Sequence, residues 1–82
     1  MNSDNSIKLE HLEEKILICD SAHQECLHQG KLLEALRCLE SSCRFRADRF
    51  ANYGIGSDDV SRAHQALVTE CNTTAMLSLQ VT

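Results

Sequence analysis

The chain has no proline, no tryptophan and only three glycines. Without proline the strongest helix breaker is missing. Helical segments are therefore interrupted only at Gly30 and at the pair Gly54 and Gly56. Phe45, Phe50 and Tyr53 are the only rings, too few for a base-stacking platform. Positive charge is also short: 8 Lys and Arg stand against 12 Asp and Glu, a net charge of −4. Nucleic acid, which needs a basic surface, is not the expected partner. The longest strongly apolar run is Ile16-Leu17-Ile18-Cys19, far below the roughly 18 residues of a membrane span. The opening Met-Asn-Ser-Asp-Asn-Ser has neither the basic nor the apolar region of a secretory signal. Cys71 lies outside any C-terminal lipidation box. The expected location is the cytosol, with no membrane partner. No Walker loop, dinucleotide fingerprint or H-E-x-x-H motif occurs. With 82 residues there is room for one domain, which buries only about 60% of its unfolded surface. Neither enzyme activity nor a cofactor is expected.

What is present is helical periodicity. The glycines divide the chain into segments predicted as helices over about 6–29, 31–53 and 57–77, one helical domain over 1–82. In the first, Leu9, Leu12, Ile16, Cys19, His23 and Cys26 alternate at spacings of three and four, an a/d seam. Ser6 is its expected N-cap, and its charge is net acidic. The second carries a stripe of Leu32, Leu33, Leu36, Leu39, Cys43, Ala47 and Phe50 and is net basic, with arginines toward its end, where cations suit the helix dipole. The third opens on Ser57-Asp58-Asp59, an N-cap with acids in the first turn. It continues with the small-residue stripe Val60, Ala63, Leu67, Cys71 and Ala75, and Thr73, Thr74 and Val81 predict fraying near residue 77. Short connections make neighbours antiparallel. The fold class is all-α, either an antiparallel helical hairpin or a three-helix bundle with coiled-coil-like packing. The hairpin arises if the first two segments form one bent helix through Gly30.

Two clusters invite chemistry. Cys19, His23 and Cys26 share one helix face, and Cys38 or Cys43 is available as a fourth zinc ligand. The same three residues occupy packing positions, and the closely spaced cysteine pair of a structural zinc site is missing. They are weak metal candidates, and the cysteines read first as small apolar packing residues. Arg44, Arg46 and Arg49 form the one basic patch. Such arginines commonly pair with acids, and Glu13, Glu14 and Asp48 are at hand. Apolar residues such as the adjacent Leu32 and Leu33, Ile16-Leu17-Ile18 and Met76-Leu77 cover more than one helix face. A monomer of this size would leave some exposed, which marks a partner site.

The acidic Leu9-Glu10-x-Leu12-Glu13-Glu14 helix, the leucine-spaced helix from Leu32 to Tyr53, the turn Gly54-Ile55-Gly56-Ser57-Asp58-Asp59 and the alanines Ala63, Ala66 and Ala75 together resemble the small helical co-chaperones of bacterial type III secretion. The resemblance spans about residues 7–79 in pattern. The final helix departs from it by lacking an aromatic and isoleucine-rich end. It implies a helical hairpin that pairs with a larger chaperone and helps hold a needle subunit unpolymerised in the cytoplasm. On that basis the expected partner-binding residues are Leu32, Leu36, Leu39, Leu67, Cys71 and Ala75. The alternative is a homodimeric helical regulator or adaptor of phage or plasmid type, and a third possibility is a metal-dependent sensor using Cys19, His23 and Cys26.

Overall fold

The computed structural model describes residues 2–81, with side chains over 8–79. It is an all-α bundle of three helices: α1 (Asn2–His28), α2 (Leu32–Tyr53) and α3 (Ser57–Val81). The glycines are what separate them. Gly30 has φ 73°, and around it Lys31 N–H donates to the Cys26 carbonyl (2.8 Å) and Gly30 N–H to the Leu27 carbonyl (3.1 Å). These are the two bonds of a Schellman motif, which ends a helix and turns the chain away. The first two segments are thus two helices, not one bent helix. Gly54, at φ 67°, ends α2 with a single bond to the Phe50 carbonyl at 2.8 Å.

Two boundaries differ from the sequence-based expectation. α1 starts at Asn2 rather than Ser6, because nothing in 2–6 breaks a helix. α3 runs on to Val81 rather than fraying near 77. There Thr73 donates its hydroxyl to the Thr69 carbonyl at 3.0 Å, and Thr74 is buried, so local satisfaction and packing outweigh low propensity. The expected N-cap Ser57 is already inside α3. Gly56 takes the cap position, its carbonyl accepting from Val60 N–H at 3.0 Å.

Gly56 has φ 77°, and a Cβ there would stand 2.9 Å from Arg49 Nη2 and 3.4 Å from Asp59 Cβ. At Gly54 the same atom would meet open space. Gly54→Ala therefore carries only the left-handed strain, about 1 kcal/mol. Gly56→Ala must also displace Arg49, and its expected cost is about 1.5 kcal/mol. Urea unfolding of the two variants checks the order.

α2 is central. α1 and α3 each pack along it, and among the described residues the backbones of α1 and α3 do not come into close contact with each other. The array measures 56 × 22 × 13 Å, with a radius of gyration of 14.7 Å. A compact chain of this length would have about 12 Å. Its apolar core is small, consisting among the described residues of Ile16 from α1 with Ala35 and Leu39 from α2.

Candidate functional site: an apolar groove at the open end

One end of the array is closed by charge. Arg46 of α2 reaches both neighbouring helices. Its Nη1 and Nη2 donate to the two Asp20 oxygens on α1, at 3.0 and 2.8 Å, and its Nε donates to Asp59 Oδ2 on α3 at 2.8 Å. Nη1 also donates to Ser42 Oγ, which in turn donates to Asp20 Oδ1 at 2.6 Å. Arg49 extends the cluster, donating to Asp59 at 2.7 Å and lying 3.8 Å from Glu13. The Arg46 guanidinium holds the carboxyls of Asp20 and Asp59 below their ordinary pKa of 3.8. Arg46 itself is pushed upward, chiefly by Asp20. The basic patch thus does pair with acids. Besides Glu13 these are Asp20 and Asp59, and Arg44 pairs within its own helix with Glu40 at 3.1 Å. Further along, His23 ties α1 to α3 through Glu70, at 2.8 and 3.0 Å from Nε2.

The other end is open. The start of α2 and the last turns of α3 enclose a groove of about 530 Å³, lined by Gly30, Lys31, Leu32, Leu33, Glu34, Thr74, Leu77 and Ser78. Leu33 is 69% exposed, Leu77 42%, and the neighbouring Met76 62%. No helix covers this side. α1 ends at His28 and turns away through the Schellman motif. A groove with leucine walls and few polar groups suits an apolar helix face laid along it.

The partner-binding residues expected from the sequence are dispersed. Leu32 lines the groove. Leu36 and Leu67 are half-buried between helices, and Leu39 is in the core. Cys71 and Ala75 are exposed on α3. Of the residues that shape the open end, Leu33 belongs to the stripe expected for α2, and Leu77 and Met76 are apolar residues beyond the stripe expected for α3. The arginine clasp had no such signal, because Asp20 and Asp59 stand far from Arg46 in sequence.

The metal candidates are drawn apart by other partners. His23 is bonded to Glu70 on α3. Among the described residues no group of three or more His, Cys, Asp or Glu is placed to hold an ion. Cys19, Cys26, Cys38 and Cys43 are half-buried, but Cys71 is exposed, so for Cys71 the packing expectation fails. Burial pushes the thiols of Cys19, Cys26 and Cys43 upward, the opposite of the shift that activates a nucleophile.

No helix among the described residues is long and apolar enough to cross a membrane. No protein family, curated protein or solved structure matches the chain.

Proposed function

We propose that this chain is a non-enzymatic helical binding protein that completes its core against another protein, and that it serves as a type III secretion co-chaperone helping to keep a needle subunit unpolymerised in the cytoplasm. The observation that carries the binding role is the uncovered apolar end. The chain exposes 5963 Å², whereas a compact protein of its mass would expose about 4,900 Å². The excess is comparable to the roughly 800 Å² per partner of a standard interface. The more specific role rests on the pattern of helices and turns described from the sequence.

In this reading the action is thermodynamic. A partner helix fills the groove between Leu33 and Leu77, apolar surface on both sides leaves water, and binding stabilises the folded three-helix chain by mass action. Leu77→Asp tests it, because Leu77 lies on the groove wall and outside the core. Co-expression with a needle subunit and its larger chaperone is expected to yield a soluble complex. Leu77→Asp is expected to weaken that complex at least tenfold while the isolated chain melts within a few degrees of wild type, since surface changes cost roughly 0.5 kcal/mol or less. If wild type and variant co-purify equally, the groove is not the docking site. If the wild-type chain is a tight homodimer by light scattering and ignores the needle subunit, the self-associating regulator replaces the co-chaperone.

A further inference from the structure

α1 is apolar on two sides, and the fold covers only one of them. Its inner side packs along α2, where Ile16 is 4% exposed. The next two residues, Leu17 and Ile18, are 67% and 60% exposed. A helix turns about 100° per residue, so these side chains stand roughly 100° and 200° round from Ile16. A surface helix normally keeps its apolar residues in one stripe, with polar residues opposite. Within the arc between Leu17 and Ile18 the same turning places Glu10, Glu14, Ser21 and Glu25, all exposed. No lysine or arginine of α1 falls in that arc. Lys15 is turned instead to the Phe45 ring of α2, 5.5 Å from its centre. The acids of the inner side are engaged within the fold: Arg46 holds Asp20, and Glu13 lies 3.8 Å from Arg49. Among the described residues Glu10 and Glu14 have no ion-pair partner. Glu25 accepts from the Gln29 amide at 3.1 Å.

We infer that the Leu17–Ile18 face of α1 docks a basic amphipathic helix of another protein. The leucines of that helix cover Leu17 and Ile18, and its lysines or arginines meet Glu10, Glu14 and Glu25. The charge on the face selects this occupant. A second copy of the chain would set the three glutamates against their own counterparts, because a two-fold contact pairs a patch with itself. Nucleic acid and anionic lipid are repelled for the same reason. A basic helix is steered to the face by its complementary potential. Once there, an apolar centre with a charged rim excludes water from the two aliphatic side chains. The face is on α1, whereas the apolar groove is built from α2 and α3. The inference is therefore independent of which protein fills the groove.

The test titrates the full chain into two labelled peptides of about 18 residues, or five helical turns. Both carry the same leucine face, one with lysines opposite and the other with glutamates. Fluorescence anisotropy should show the lysine peptide binding at least about tenfold more tightly. Its affinity should fall as salt rises from about 0.05 to about 0.5 M. Leu17→Ser combined with Ile18→Ser keeps every charge and should weaken the lysine peptide about tenfold. Both positions are exposed, so this variant should melt within a few degrees of wild type. Glu10→Gln combined with Glu14→Gln should weaken binding and flatten its salt dependence. Leu77→Asp, in the groove, should bind the lysine peptide as wild type does. Four results would each overturn the inference: equal binding of the two peptides, loss of binding in Leu77→Asp, undiminished binding by the Leu17→Ser and Ile18→Ser chain, or no binding by wild type.

Discussion

Arg46→Ala is expected to lower stability by about 2 kcal/mol and the melting temperature by about 10 °C. Among the described residues Arg46 is the one side chain that hydrogen-bonds both outer helices, holding Asp20 on α1 and Asp59 on α3. Its side chain is 16% exposed, so truncation leaves two carboxylates without their main counter-charge in a partly dry site. Breaking a fully buried pair costs roughly 3–5 kcal/mol, and an exposed pair about 0–1. Asp20 and Asp59 are about one-third exposed, which sets the expected value between those limits. Ser42, wholly buried, also loses the Arg46 partner of its hydroxyl. Lysine does not replace the arginine, because one ammonium cannot span both Asp20 oxygens and Asp59. Arg49 contributes less: its contact with Glu13 is long, and its Nε is buried without a partner.

The clasp also sets the acid limb of stability. Folding lowers the pKa of Asp20 and Asp59 below 3.8. Their contribution is complete above the unfolded value and drains away as pH falls through the lower folded values. Thermal melts from pH 7 down to about pH 3 should show the wild type losing stability in the lower part of that range. Arg46→Ala should start lower and lose less. Parallel curves for the two proteins would show that Arg46 does not hold the carboxylates.

The helices were legible because their signals are local. Without proline, glycine is the clearest helix punctuation in the chain: Gly30 and Gly54 end α1 and α2 at positive φ, and Gly56, also at positive φ, stands at the start of α3. Ser57 was misplaced by one residue because Gly56 with positive φ served as cap in its stead. Thr73 looked like a fraying signal until its hydroxyl was seen to bond back to Thr69. The site was less legible because it depends on what the fold leaves uncovered. Leu39 and Leu33 are both leucines of α2, yet one is 7% exposed and the other 69%. Part of that difference is helical spacing, which puts Leu33 roughly 120° from Leu39 around α2; which face stays uncovered follows from where α1 ends and α3 runs. The arginines were read correctly as partners of acids, but the choice of Asp20 and Asp59 required the register between helices.

Leu39→Ala is expected to be the most damaging single truncation, at about 3 kcal/mol. A domain of this length has about 4–12 kcal/mol in total. Leu39 is one of only three buried apolar residues among those described, with Ile16 and Ala35. A cavity there has few neighbours to close over it, and Ala35 is already the smallest filling that a packed position allows. Leu33→Ala, on the same helix but outside the core, should cost roughly 0.5 kcal/mol or less. Chemical denaturation of the two variants separates them. Equal losses would mean that the small core does not dominate stability. The deficit of Leu39→Ala should also be recoverable. A partner that binds only the folded chain adds about 2.7 kcal/mol at a hundred times its dissociation constant, nearly the amount removed. Because the groove lies outside the core residue deleted, the bound Leu39→Ala chain should melt near the unbound wild type. The double variant Leu39→Ala with Leu77→Asp should gain nothing from the same partner.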